Sequence, residues 1–265
     1  MLAELLSGGL LEGIHIPSEN NEYLRDLLRM REDIKKDRAR ARQRILSFLL
    51  RYGMNYSQGN NWTVKHKIWL NNISFEDEYR EYTLEHYMSL EEEMTQRLER
   101  IDERIIEIAQ SEKYRDKVNI LRCFKGIDYL TALSIICEVG DFKRFLRAEE
   151  FMGYLGLIPG ESSSGKNRRQ KGITKTGNKH LRTLLIETSW HYTRAGKNIS
   201  KRWAIRMKGQ DESLIQYTKK AFYRLQKKYY KLVYRNKAKQ VAITAVAREL
   251  SGFIWGAMTN NIQIA

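Results

Sequence analysis

Proline is almost missing from this chain, and that constrains its fold more than any other feature. Only Pro17 and Pro159 occur, so the long charged run between them contains nothing that removes a backbone donor or breaks a helix. Apolar residues in that run recur with helical periodicity. Leu24, Leu27, Leu28, Ile34, Ala41, Ile45, Phe48 and Leu49 form a drifting stripe from Ser18, an N-cap candidate, to Tyr52. Tyr87, Leu90, Met94, Leu98, Ile101, Ile105 and Ile108 lay a narrower seam along a second helix over 81–110, as in a coiled coil. An aromatic connector with Trp62, Trp69, Phe75 and Tyr79 lies between them. The pair makes either an antiparallel hairpin or a dimerisation arm, and the spacing is compatible with both. The expected class is mainly α, with a long helical coiled-coil hairpin followed by a helical C-terminal domain.

Charge narrows the partner. The formal net charge is +15, which suits a polyanion, since each Lys or Arg set on a phosphate releases condensed counterion. A membrane surface is the competing partner. The sequence shows no apolar run of about 18 residues and no basic-apolar-small leader pattern, so no membrane partner and a cytoplasmic location are expected. The two cysteines, Cys123 and Cys137, lack CxxC spacing and read as buried thiols in a reducing compartment. From Arg38 to Arg51 the first helix carries cations and no acid, which makes Arg38 and Arg42 candidate nucleic-acid contacts.

Residues 118–140 hold two apolar helical segments around Lys125-Gly126-Ile127-Asp128. This is similar to a helix-hairpin-helix element, in which hairpin amides and the next helix terminus cradle a phosphate; Gly126 is the candidate contact. Asp128 fits as a helix cap but repels a phosphate at the same spot, and a plain helical turn fits equally well. A short helix over 147–155 ends at Gly156, and Pro159-Gly160 opens a stretch read as a loop. That stretch, 156–182, concentrates Ser162, Ser163, Ser164, Lys166, Arg168, Arg169, Lys171, Lys175, Lys179 and Arg182, with no acid after Glu161. Thr176 or Asn178 caps the next helix, which runs to about Arg194. If it starts early enough, Lys175, Lys179 and Arg182 share a face. A basic, aromatic helix over 211–237 follows, with its rings expected in the core. The last helix, over 239–258, is apolar nearly all round.

Few of these residues match a known catalytic spacing. Glu138 and Asp141 sit three apart at a helix end, and His180, Glu187 and His191 lack the His-Glu-x-x-His spacing of a zinc site. GESSSGK lacks the glycine spacing of a phosphate-binding loop. No metal site is expected on these residues. A serine nucleophile is the remaining chemistry; it needs a base or a strongly cationic surround, and guanidinium groups such as Arg168 and Arg169 suit a phosphoryl transition state.

The stretch GLIPGESSSGKNRRQKGITKTGNKHLRTLLIETSWHY resembles the C-terminal domain of bacterial insertion-sequence transposases of the IS110 family, including its IS1111 branch. CFKGIDYLTALSIICEVGDFKRF and KLVYRNKAKQVAITAVARELSGFIW agree, and residues 17–53 resemble the segment that links the family's nuclease domain to its coiled coil. The resemblance implies a DNA recombinase with a composite active site: a magnesium-binding RNase-H-like DEDD domain, and a serine that forms a phosphoserine link to DNA. It also implies a structured bridge RNA and assembly into dimers or tetramers, with a full-length transposase as a possible partner for a shorter chain. The family serine precedes the glycine, which puts it on Ser164, with Ser163 next. Residues 1–17 then read as the remnant of the nuclease domain, 18–115 as the basic and coiled-coil region, and 116–265 as the serine transposase domain. The family's metal-binding acids match no residue here, so magnesium is implied only through that other domain and the chain alone is expected to be inactive. A nucleic-acid-binding fragment that joins and modulates a longer transposase, and a coiled-coil adapter, are the competing functions.

Overall fold

A computed structural model describes residues 2–10, 18–164, 167–194 and 200–262, with the backbone alone at 163, 164 and 167–170. In chain order the helices are α1 (Leu2–Ser7), α2 (Glu19–Arg51), α3 (Val64–Asn71), α4 (Glu78–Gln110), α5 (Arg115–Arg122), α6 (Tyr129–Val139) and α7 (Ala148–Tyr154). Strands β1 (Pro159–Ser164) and β2 (Asn167–Ile173) follow, then α8 (Lys179–Ser189), α9 (Lys201–Met207), α10 (Glu212–Tyr234) and α11 (Lys239–Met258). The class is mainly α: β1 and β2 form the only sheet among the described residues. Residues 11–17, part of the expected nuclease remnant over 1–17, lie outside the described residues.

The chain divides into two compact units, residues 26–105 and residues 1–25 with 106–265. In the first, α2 and α4 run antiparallel. Arg31 of α2 pairs with Asp102 of α4, and farther along α2, Arg42 pairs with Glu91. Of the two arrangements that the apolar seam allowed, the hairpin is therefore present within one chain. Its closed end is an aromatic core. Ile45, Phe48, Leu49, Leu70 and Leu84 are buried, with Trp62, Trp69, Phe75 and Tyr87 packed against them. Each fully buried side chain of this size stabilises by about 1.5–3 kcal/mol. Thr63 caps α3 by accepting from the His66 amide. The His66 ring is itself buried, with Nδ1 accepting from the Trp62 amide at 3.1 Å, and burial holds its pKa below the ordinary value.

In the second unit α11 is the central helix, packed on α5, α7, α8 and α10. Its Ala242, Ile243, Val246, Ala247, Leu250 and Ile254 are buried. Contrary to the expectation of no sufficiently long apolar run, α11 has the length and composition to cross a membrane. Here it packs as a core helix instead. Two ring-to-helix contacts show how closely: a Cβ at Gly256 would lie 2.3 Å from the Tyr217 hydroxyl, and the Trp255 indole donates to the Phe145 carbonyl at 3.1 Å.

In α10, Tyr217, Phe222 and Tyr229 are buried as expected, whereas Tyr223, Tyr230 and Tyr234 are exposed. Cys123 and Cys137 are buried free thiols, and burial pushes their pKa up to about 11 and about 12. At neutral pH they stay protonated and inert.

Candidate nucleic-acid interface

The serine-rich stretch is a β-hairpin, not a loop. β1 and β2 are antiparallel, and their register pairs Ser162 with Arg169, Ser163 with Arg168 and Ser164 with Asn167. The sequence hides this because PGESSSGKNRRQKGI has no apolar alternation. Both faces are polar, so the two-residue period that marks half-buried strands is missing. Gly165 and Lys166, between the strands, lie outside the described residues. So do the side chains of Ser163, Ser164, Arg168 and Arg169, the candidate nucleophiles and their cations.

Below the hairpin, two passes of the chain approach so closely that side chains are excluded. Gly156 has φ +64 and Gly177 has φ +76. A Cβ at Gly156 would lie 2.0 Å from the Thr176 carbonyl oxygen, and one at Gly177 would lie 2.1 Å from that of Tyr154. The amides of Thr174, Lys175 and Asn178 donate across the gap to Ile158, Gly156 and Tyr154 at 2.9, 3.1 and 3.0 Å. Asn178 caps α8 by accepting from the Leu181 amide, and its Nδ2 donates to the Glu138 carboxylate at 2.8 Å. From the opposite side, Arg25 donates to the Cys137 and Glu138 carbonyls, each at 2.9 Å, satisfying the open end of α6.

Arg182 belongs to this frame. It is 9% exposed, and its Nη1 donates to the Leu155 carbonyl at 2.9 Å and to that of Thr176 at 3.1 Å. Sequence grouped it with the loop cations, but the structure has it holding the hairpin root. The condition for Lys175 to share a helical face with Lys179 is not met, because α8 begins at Lys179. Lys175 instead takes a left-handed backbone with φ 59, and it is exposed together with Lys171 and Lys179. Among the described residues no ion pair forms at any of the three. Beside them, between the hairpin root and α11, runs a cleft of about 590 Å³ that also carries Arg248. Sequence reasoning missed Arg248, whose only signal is a guanidinium in an otherwise apolar helical run.

The remaining candidates lie elsewhere. Gly126 has φ +88 and sits against His191, with a Cβ there falling 2.6 Å from the imidazole. The turn around it is occupied by the protein. Trp203 donates to the Cys123 carbonyl at 2.7 Å, Arg206 to that of Ile127 at 2.6 Å, and the Cys123, Phe124 and Ile127 amides bond within the turn. Asp128 caps α6 by accepting from Thr131. Burial, with the Arg194 and Lys125 cations, holds the His191 pKa below its ordinary value. In the other unit, Arg42 donates to the buried Glu91 at 2.6 Å and covers the Trp62 ring. Arg38 is half-buried, and burial with the Arg42 charge lowers its pKa.

Among the described residues no three His, Cys, Asp or Glu side chains come together as a metal site. The more buried carboxylates are committed: Glu91 to Arg42, Glu138 to Asn178, and Glu249 to Arg224 and Lys228. Burial works against ionisation of Glu249, but hydrogen bonds from Lys228 and Arg224 outweigh it and hold the pKa below the usual carboxylate range.

Comparison with known proteins bears on the same segment. Residues 118–204 match the family described as Transposase IS116/IS110/IS902. The chain is 35% identical over 254 residues to a putative transposase, y4qE, of Sinorhizobium fredii, covering 96% of this chain and 62% of that protein. It is 38% identical over 219 residues to the transposase for insertion sequence element IS1533 of Leptospira borgpetersenii, covering 80% and 62% respectively. A transposase for insertion sequence element IS1328 of Yersinia enterocolitica is 26% identical over 193 residues, 73% of this chain and 57% of that protein. The chain thus spans about 62% of the length of the first two relatives.

Proposed function

We propose that this chain, whose residues 118–204 match the IS116/IS110/IS902 transposase family, takes part in DNA transposition, with the β1–β2 hairpin as its DNA-contacting and reactive element. The observation that carries this is the pairing of three consecutive serines with Arg169, Arg168 and Asn167 on a hairpin whose root is tied by main-chain hydrogen bonds from Thr174, Lys175 and Asn178. A rigid root holds a reacting group in place without a reorganisation cost at the moment of reaction.

Ser164 is the proposed nucleophile. Its Oγ forms a bond to a DNA phosphorus, the bond from phosphorus to the departing strand breaks, and the serine proton leaves as the departing oxygen gains one. Arg168 and Arg169 offset the charge that builds on the phosphoryl oxygens. Lys171, Lys175 and Lys179 hold the flanking backbone as simple phosphate contacts. The Gly126 turn is a weaker phosphate site, because His191 packs against Gly126 and the Cys123 and Ile127 carbonyls and amides beside it already have partners in the protein. Arg38 and Arg42 are likewise secondary contacts.

The carboxylates of the described residues do not fit a magnesium centre, so metal-dependent cleavage falls to another polypeptide segment. Bridge RNA, a dimer or tetramer, and a longer transposase as partner complete the proposal. The engaged carboxylates also favour the second reading, a nucleic-acid-binding subunit that modulates a longer transposase.

The test is an adduct between this chain and DNA that survives denaturation when the chain is mixed with the family's nuclease domain alone, supplied in trans without a serine domain, and element DNA. The wild type and Ser163→Ala form the adduct, and Ser164→Ala does not. An adduct kept by Ser164→Ala but lost by Ser163→Ala moves the nucleophile by one residue. One kept by both variants rejects the serine chemistry.

A further inference from the structure

Resting on the DNA-binding reading, we infer that the cleft between the hairpin root and α11 receives the base of an unpaired DNA nucleotide next to the strand the hairpin holds. The cleft's volume, about 590 Å³, lies in the range of small-molecule sites. Its walls are aliphatic: Leu157, Pro159 and Ile173 on the hairpin side, Val241 and Ala245 on the helix side. Val241 is 56% exposed, an apolar side chain at the exposed first turn of a helix whose later turns carry core residues. The charged groups on the cleft are Lys171, Lys175 and Arg248, and among the described residues that line it none is acidic.

That combination selects the occupant. An apolar peptide would satisfy the walls and leave three cations without a counter-charge. A duplex would satisfy the cations, but its bases are stacked inward and cannot reach the walls. An unpaired nucleotide meets both demands, with its base against the aliphatic surface and its flanking phosphates on the lysines and Arg248. Gln240 and Thr244 also line the cleft and supply hydrogen-bonding groups. A ring-free wall grips a base by van der Waals contact rather than stacking, so the site tolerates different bases. Transposition intermediates present unpaired nucleotides wherever strands separate, which gives the cleft a place in the proposed reaction.

The experiment uses the 265-residue chain and three probes of one sequence: single-stranded DNA with 2-aminopurine at its centre, the matching duplex, and the single strand as RNA. The wild type binds the single-stranded DNA and changes its 2-aminopurine emission. Val241→Met extends an aliphatic side chain into the cleft without altering charge or adding a ring on which a base could stack. It weakens single-strand binding by roughly ten-fold, the loss of about 60 Å² of apolar contact, removes the emission change, and leaves duplex affinity within about two-fold. Ala245→Leu acts in the same direction, and circular dichroism confirms that both variants are folded. If both variants bind the single strand as the wild type does, the cleft assignment fails while DNA binding stands. Tighter binding of the RNA, abolished in Val241→Met, reassigns the cleft to RNA and overturns the DNA assignment. No binding of any probe by the wild type rejects the parent reading together with this one.

Discussion

Two stretches of this chain are rich in cations, and the fold commits them differently. Along α2, Arg31, Lys35, Lys36, Arg40 and Arg42 each lie on a carboxylate, and Arg51 covers the Phe48 ring. At the hairpin root and the start of α8, Lys171, Lys175 and Lys179 are exposed and make no ion pair among the described residues. Pairing at the surface contributes little to stability, on the order of 0–1 kcal/mol. It does place a negative charge where a phosphate would otherwise go. The number of cations in a stretch is therefore a poor measure of its attraction for nucleic acid; the number left after internal pairing is a better one.

The sharpest way to break this comparison is through the frame that separates paired from unpaired charge. Gly177→Ala sets a Cβ against the Tyr154 carbonyl and requires a left-handed alanine. A loss of about 4 kcal/mol or more is expected, read as a large fall in Tm with DNA binding abolished alongside. Next comes Arg42→Ala, which removes the cation from Glu91, a carboxylate only 5% exposed. Stripping one partner from a buried pair costs about 3–5 kcal/mol. The partly exposed Arg42 puts the expected loss near the lower end, measured by urea unfolding, with DNA affinity of the folded fraction lowered only slightly, as befits a secondary contact. Arg182→Met leaves the Leu155 and Thr176 carbonyls without their donor. It is expected to cost about 2 kcal/mol, seen as faster amide hydrogen exchange in the hairpin.

Much of the fold was legible because the helices advertise themselves. The drifting apolar stripe of Leu24 to Leu49 and the three-and-four spacing of Tyr87 to Ile108 place α2 and α4 within a few residues of their observed ends. Asn178 and Asp128 were readable as caps for the same local reason. The site was less legible. The β1–β2 hairpin carries no apolar period, so its strands look like any polar loop. Whether a guanidinium is free depends on partners far away in sequence, as with Arg42 on Glu91 and Arg31 on Asp102. Arg182 shows the cost of that: it stands in the most basic run of the chain, yet it is buried on main-chain carbonyls. Arg248 shows the reverse, a cation in an apolar helix that the fold brings to the cleft.

The most direct measurement of the central claim is the salt dependence of DNA affinity for three proteins: the wild type, the Lys171→Ala/Lys175→Ala/Lys179→Ala triple variant, and the Lys35→Ala/Lys36→Ala/Arg40→Ala triple variant. The two variants remove equal charge and keep the buried frame. Removing one cation from a phosphate lowers the slope of log K against log salt by about 0.7–0.9. The account predicts a drop of about two or more for the first variant and, because its cations are already paired, a drop of less than about one for the second. Equal drops, or a larger one for the α2 variant, would contradict it.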